Sequence, residues 1–188
     1  AVQASTGGTF GGNVVFNGTT TGLDLNGTEF ILDSDGDTSI TSDTDDRVDI
    51  KVGGSDMVHI TSTGLGLGTS SPSAQLHISG TDTSDQVIIE NTDTGGGSAP
   101  DLVLFRNSAS PADNDVIGRI DFRGDDDNGT VRDYVTLFST ITDASTATPA
   151  GSFAIQTRNG SSQNTRLIVD GSGKVGIGTS SPTSTLTV

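Results

Sequence analysis

The sequence contains no cysteine and no tryptophan, and it has only one tyrosine and one methionine among its 188 residues. The absence of cysteine excludes a disulfide framework, a thiol nucleophile, a thiolate zinc site and an iron–sulfur cluster. Long apolar runs are missing as well, whereas a membrane-spanning helix needs about 18 consecutive apolar residues. We therefore expect neither a disulfide-stabilised scaffold nor insertion into a membrane.

Basic residues are also scarce. Nine Lys and Arg against 24 Asp and Glu give the chain a net charge of −15. Proteins that bind nucleic acid or anionic membrane surfaces need a basic footprint, because they neutralise phosphate groups. The charge balance therefore disfavours both kinds of partner, and we expect no nucleic acid ligand.

Helix-forming residues are few and apolar residues alternate with polar ones. Hydrophobic residues make up 30% of the chain, glycine is present 26 times, and there are two glutamates. Period-two alternation predicts β-strands, and the turn-forming residues between the alternating sets predict that many short strands are joined by turns. The alternating sets are Val48, Ile50 and Val52; Val58 and Ile60; Leu65 and Leu67; Leu76 and Ile78; Val87 and Ile89; Leu102 and Leu104; Ile120 and Phe122; Phe153 and Ile155; Leu167 and Val169; Val175 and Ile177; and Leu186 and Val188. The fold class predicted by this pattern is all-β, with essentially no helix.

Turn signals and two histidines add detail to the strand pattern. Asn-Gly pairs at 128–129 and 159–160 suit the positive φ angles of tight hairpins. His59 and His77 each lie between two apolar strand residues. Since side chains alternate between the faces of a strand, we expect both histidines on the more solvent-exposed face.

The chain contains an internal repeat. Residues 57–78 align without gaps to 167–188, and the Thr-Ser-Ser-Pro run at 69–72 recurs at 179–182. In each copy, glycines within a short alternating strand indicate a close approach of backbone, and the proline then ends that strand. This strand–kink–strand unit, here called the cassette, predicts two β-modules, 1–80 and 81–188, which each end in the same cassette.

The apolar residues are too few to close a core easily within one chain when they are spread over eleven or more thin strands. Three copies around an axis close such a core, because each apolar face then meets its symmetry mates. We therefore predict an elongated, intertwined homotrimer. A single-chain β-sandwich with a lean core is the alternative.

Three segments resemble one family of proteins. The sequence GKVGIGTSSP at 173–182, the Asp-rich segment 32–54 and the segment 117–125 are similar to parts of bacteriophage tail-fibre and related virion-fibre proteins. The resemblance implies a homotrimeric, rod-like β-fibre on the outer face of a virion. Its implied partners are copies of itself, other virion proteins and a host cell-surface receptor.

Catalysis is the first alternative to attachment. A tailspike-type polysaccharide depolymerase would need paired carboxylates and aromatic platforms for sugar rings. The chain lacks tryptophan and has one tyrosine, Tyr134, and no Gly-x-Ser-x-Gly motif is present. We therefore expect a structural protein without enzymatic activity and without a cofactor. A cellular surface filament or adhesin is the second alternative.

One acidic segment is a candidate cation site. Asp33, Asp35 and Asp37 alternate, and carboxylates at this density can bind Ca²⁺. The EF-hand pattern is not met, because Gly36 falls at loop position 4 and Thr44 at position 12. The other interpretation is an Asp-rich turn whose side chains accept hydrogen bonds from nearby backbone groups.

Two polar loops are the candidate receptor-facing surfaces, 106–116 and 124–130, since binding residues concentrate on loops that project from a rigid scaffold. A chain of this charge should recognise its receptor at short range, through Asn, Ser, Thr and backbone groups. The candidate residues are Asn107, Ser108, Asn114, Asp125, Asp126, Asp127 and Asn128.

Overall fold

A computed structural model describes residues 28–97 and 99–188 of the chain. The chain divides into two units, Ala1–Glu90 and Asn91–Val188, and the described part of each holds one six-stranded sheet. These ranges contain twelve strands and no helix, which confirms the predicted all-β class. Among the described residues, no helix is long and apolar enough to cross a membrane.

The first sheet follows chain order. Its strands are β1 (Phe30–Ile31), β2 (Ser39–Thr41), β3 (Val48–Val52), β4 (Ser55–Ile60), β5 (Leu65–Leu67) and β6 (Leu76–Ile78). Neighbouring strands are antiparallel from β1 to β5, and β6 lies parallel to β5. Each strand therefore pairs with the next one along the chain.

The second sheet repeats this plan with longer strands. They are β7 (Val116–Asp125), β8 (Val131–Asp143), β9 (Ala150–Asn159), β10 (Ser162–Val169), β11 (Val175–Ile177) and β12 (Leu186–Thr187). Again only the last pair, β11 and β12, is parallel. Gly129 and Gly160 have φ angles of 73° and 62° in the β7–β8 and β9–β10 turns, as the Asn-Gly pairs predict.

The cassette forms the parallel strand pair in both units. Parallel strands usually need a connection of about a dozen residues, but the shorter segment 68–75 connects β5 to β6. The hydroxyl of Thr69 accepts a hydrogen bond from the amide of Ser71 at 3.3 Å, and Thr179 and Ser181 repeat this bond at 3.2 Å. Pro72 and Pro182 are buried. The Thr-Ser-Ser-Pro run therefore forms the same compact turn twice.

The second copy of the cassette has one residue more than the first between the two strands that precede this turn. The gapless alignment of 57–78 with 167–188 is therefore wrong at that place. The amide of Gly68 donates to the carbonyl of Met57 at 3.0 Å, while the amide of Gly178 donates to that of Arg166 at 2.9 Å. The chain between the bonded groups is one residue longer in the second copy. The extra residue lies in the tight turn before the glycine-containing strand, where an insertion leaves the strand pairing intact.

The inserted residue changes which side chain faces the buried glycine of the cassette. His59 pairs with Gly66 in the first sheet, and Ile168 pairs with Gly176 in the second. Both glycines are buried. A histidine and an isoleucine therefore occupy equivalent places in the two units.

Two predicted strands are absent. The alternating pairs Val87–Ile89 and Leu102–Leu104 lie in chain that forms no strand, and no strand is present anywhere between Ile78 and Val116 in the described residues. Their side chains are largely exposed, 62% for Val87 and 67% for Leu102. Alternation shows that a segment is suited to pairing, but a strand also needs a neighbouring strand, and these segments have none within the described chain.

Burial in the first sheet is the reverse of the usual pattern. Its buried side chains are polar: Ser39, Thr41, Asp49 and His59 are at most 6% exposed. Within the strands of the described chain, the only buried hydrophobic side chain is that of Ala154. The prediction that His59 faces solvent is therefore wrong, because its polar partner Asp49 is buried on the same face.

The apolar side chains instead form continuous rows across each sheet. The first apolar row consists of Phe30, Ile40, Ile50, Val58, Leu67 and Ile78, which are aligned across β1 to β6. The second apolar row consists of Ile120, Leu137, Ile155, Leu167 and Ile177, which are aligned across β7 to β11. Both rows are partly open to solvent, with Phe30 48% and Ile120 44% exposed.

Candidate functional site

The structure distributes the predicted receptor-facing residues over two places in the second unit. Asn107, Ser108 and Asn114 lie in the segment before β7. Asn114 has a positive φ of 71°, and its amide donates to the carbonyl of Ile141 at 2.7 Å. The end of this segment is therefore fastened beside the C-terminal end of β8, where Ile141 lies.

The other candidates lie in the β7–β8 hairpin. Asp125 is the last residue of β7, and Asp127 and Asn128 are exposed at the tip of the turn. Asp126 has a different role, because one carboxylate oxygen accepts the amides of Asn128 at 3.0 Å and Thr130 at 2.9 Å. It holds the turn in shape and leaves its neighbours facing outward.

The second oxygen of Asp126 points along the hairpin to an arginine. It accepts a hydrogen bond from Nε of Arg132 at 2.9 Å. The Thr130 amide, followed by Arg132, holds the pKa of the Asp126 carboxyl below its ordinary value, so this side chain is a carboxylate at neutral pH.

An open cavity of about 450 Å³ lies where this hairpin approaches the β9–β10 turn. We call it the hairpin-end cavity, and it is lined by Asp126, Arg132, Tyr134, Arg158, Gly160 and Ser161. Of these residues, only Asp126 is among the receptor-facing candidates that the sequence predicts. The strand order would have indicated the others, because alternate turns of an antiparallel sheet lie at the same end. The Asn-Gly turns at 128–129 and 159–160 are therefore neighbours.

Arg158 is fixed in this cavity by main-chain oxygens. Its Nε donates to the carbonyl of Asp133 at 2.9 Å, and a terminal nitrogen donates to that of Ser161 at 3.2 Å. All its hydrogen bonds to described residues go to carbonyl groups, so no described carboxylate is hydrogen-bonded to it.

Tyr134 supplies the aromatic surface of the cavity. Its hydroxyl donates to the carbonyl of Asp125 at 3.4 Å, and its ring lies beside Gly124, where a Cβ atom would be 3.4 Å from the ring. The residue is 43% exposed. The ring is therefore held in place while part of its surface stays open to a ligand.

The proposed cation segment is compact. Oxygen atoms of Asp33, Asp35 and Asp37 lie within 4.8 Å of one another. Asp33 also accepts the amides of Gly36 at 3.0 Å and Thr38 at 3.3 Å, and bonds from Thr38 hold its pKa below the ordinary value. These bonds are those of an Asp-rich turn, and Ca²⁺ binding stays a prediction.

A buried ionic cluster lies within the first sheet. Nε of Arg47 donates to both carboxylate oxygens of Asp49 at 2.8 Å, and Nδ1 of His59 lies 2.6 Å from one of them. The nearby hydroxyls of Ser39 and Thr41 are buried and form no hydrogen bond with described residues. Asp49 is 1% exposed and His59 5% exposed, whereas the Arg47 side chain is 23% exposed, so the carboxylate is enclosed and the guanidinium lies at the edge of the cluster. Removal of one partner would leave an uncompensated buried charge.

We expect Asp49 to make the first unit sensitive to acid. Burial acts to raise the pKa of Asp49, but the bonds from Arg47 and His59 outweigh burial and lower it below its ordinary value of 3.8. The stabilisation is therefore complete above the unfolded pKa and is lost as pH falls through the lower folded pKa. Thermal unfolding followed between pH 2 and 7 should show this loss below about pH 4.

The variant Asp49→Asn tests this assignment. It should lower the free energy of unfolding at pH 7 by about 2 kcal/mol, because it removes charge-assisted bonds from a buried carboxylate. Its stability should also fall less than that of the parent as the pH is lowered. Asp85→Asn, at an exposed position of the same unit, is the control and should unfold like the parent. An equal loss of stability on acidification in the parent and in Asp49→Asn would contradict the assignment.

Comparison with known proteins adds no family to this description. No protein-family model matches the chain, and a search of curated proteins finds no match. Function is therefore inferred from the motifs quoted above, from the apolar rows and from the hairpin-end cavity.

Proposed function

We propose that the chain is a structural subunit of an elongated, intertwined homotrimeric fibre of the bacteriophage tail-fibre type. In this proposal the fibre lies on the outer face of a virion, joins other virion proteins and attaches to a receptor on the host cell. It is not an enzyme. The observation that carries the proposal is the exposure of both apolar rows in a single chain.

The first apolar row supports the proposal that a single chain is not the complete unit. Six apolar side chains are aligned across six strands, while the buried positions of the same sheet are polar. Soluble monomers rarely expose contiguous apolar patches larger than a few hundred Å². Burial of such rows against other subunits would supply the hydrophobic stabilisation that each chain lacks.

Further copies of this chain are the partners that fit these rows. Every chain carries −15, but neither row contains a charged side chain, so copies can meet through apolar contacts without bringing like charges together. The segments Val87–Ile89 and Leu102–Leu104 add a second reason. They alternate as strands do, and a neighbouring copy would provide the strand that they lack.

Attachment is assigned to the second unit. Its hairpin turns combine exposed polar residues at 127–128 with a cavity that is lined by two arginines and a tyrosine. Loops held by a rigid sheet are where binding residues concentrate. A depolymerase would instead need a pair of carboxylates facing a substrate, and Asp126 is already engaged in holding its own turn.

Light scattering in native buffer tests the assembly. The expected mass is three times 19.0 kDa, about 57 kDa, with an elongated shape. A compact particle with the mass of one chain would overturn the proposal.

Two further observations would favour the alternative functions. Release of oligosaccharides from host polysaccharide would favour the depolymerase, and a gene neighbourhood without virion morphogenesis genes would favour a cellular adhesin.

A further inference from the structure

The hairpin-end cavity differs in charge from the rest of the chain. The side chains that line it include two arginines, Arg132 and Arg158, and one carboxylate, Asp126. The lining therefore carries one net positive charge in a chain whose net charge is −15. We propose that this cavity binds a saccharide residue that bears a carboxylate. The inference rests on the attachment function proposed above and adds the chemical class of the ligand.

The carboxylate is assigned to Arg158. Arg132 already has a carboxylate partner in Asp126, at 2.9 Å. Arg158 is bonded to carbonyl oxygens alone, which orient its guanidinium group without neutralising it. Nε and one terminal nitrogen make these bonds, and the other terminal nitrogen donates to no described residue. A guanidinium positioned in this way favours a carboxylate, because it can donate charge-assisted hydrogen bonds to it.

The sugar ring is assigned to Tyr134 and to the turn beside it. An aromatic ring that is held at its edge and 43% exposed offers an apolar face to the C–H groups of a pyranose. Ser161 and the backbone of Gly160 offer hydrogen-bonding groups for hydroxyls. A volume of about 450 Å³ lies at the small end of the range for ligand sites and suits one or two sugar rings.

A small ligand fits better than a polyanion. The exposed Asp125 and Asp127 stand beside the cavity, and the whole chain repels extended anionic polymers such as nucleic acids. A single carboxylate on a mostly neutral sugar reaches Arg158 at contact distance with little of this repulsion. The site therefore selects one acidic sugar residue rather than a run of phosphates.

Titration calorimetry on the assembled full chain tests the inference with two disaccharides. One contains glucuronate, and the other carries glucose in its place. We expect the acidic disaccharide to bind about tenfold tighter than the neutral one, because only the acidic one forms charge-assisted hydrogen bonds with Arg158. Equal affinities, or no binding of either at about 10 mM, would overturn the inference.

Two variants locate the site. Arg158→Gln should weaken the acidic disaccharide about tenfold or more, and Tyr134→Leu should weaken both disaccharides about three- to tenfold. Arg166→Gln is the matched control, since Arg166 is an exposed arginine that bonds to Thr157 outside the cavity. Unchanged binding by both cavity variants would overturn the inference. If Arg158→Gln does not fold, the test depends on two other measurements. These are the affinity of Tyr134→Leu for both disaccharides and the difference between the acidic and the neutral disaccharide in the parent chain.

Adsorption to host cells separates this inference from the proposed function. If the parent chain and the Arg158→Gln variant are both trimeric and adhere to cells equally well, the cavity has no part in attachment and the fibre assignment stands. A monomeric parent chain that does not adhere to cells would remove the fibre assignment, whatever the cavity binds in calorimetry.

Discussion

The variant Gly66→Ala should lower the free energy of unfolding of the first unit by about 3 kcal/mol. Gly66 is buried, and a Cβ atom at this position would overlap the carbonyl oxygen of Thr69. That oxygen belongs to the backbone of the cassette turn and cannot rotate away as a flexible side chain could. The melting temperature, followed by circular dichroism, should therefore fall by about 12 °C or more.

The second copy and an open glycine provide matched comparisons. In Gly176→Ala the Cβ atom would lie 2.8 Å from the carbonyl oxygen of Thr179, so the same clash is present but milder. Gly96→Ala adds its methyl group to open space and should change stability by less than about 0.5 kcal/mol. A Gly66→Ala variant as stable as the Gly96→Ala variant would show that the cassette turn is not tightly packed.

The variant Ile40→Glu should weaken the proposed trimer. Ile40 lies in the first apolar row between Phe30 and Ile50, and it is 37% exposed in the single chain. In the proposed trimer, each of the three chains would place an unpaired carboxylate in an apolar interface, at a cost of several kcal/mol per charge. Light scattering on a dilution series should therefore detect the mass of one chain, 19.0 kDa, at a protein concentration at which the parent is still trimeric.

The sheet itself should tolerate this change. Because the side chain is partly exposed already, the stability of the isolated unit should change by about 1 kcal/mol or less. Ser62→Glu introduces the same charge in an exposed turn of the same unit and should leave the mass of the assembly unchanged. An Ile40→Glu trimer that resists dilution as well as the parent does would show that the first apolar row lies outside the subunit interface.

Sequence reasoning located most of the strands because the alternation of side chains and the turn dipeptides are local signals. Val48–Val52 and its partner β4 follow from alternation alone, and the hairpins at 128–129 and 159–160 follow from the Asn-Gly pairs. Local signals fail where pairing decides the outcome. Val87–Ile89 and Leu102–Leu104 alternate equally well and form no strand.

The candidate site was harder to predict because it depends on which turns meet. The sequence predicts a loop at 124–130, and the structure has the turn at 126–130, because Asp125 ends β7 and Val131 begins β8. Arg158 lies in a different hairpin, and no local signal indicates that its hydrogen bonds go to carbonyl groups and not to a carboxylate. His59 was misplaced for a related reason. An amphipathic pattern separates the two faces of a strand, but it does not show which face is covered when a buried Asp49 supplies a polar partner.

The extra residue in the turn before β11 bears on how such chains diversify. The bond from Gly178 to Arg166 in the second unit matches the bond from Gly68 to Met57 in the first, although the intervening chain differs in length. The cassette thus accepts a preceding hairpin without requiring a fixed residue count. A fusion joined inside this turn should therefore keep the pair β11–β12, provided that the last strand of the new upstream hairpin pairs with β11 as β10 does.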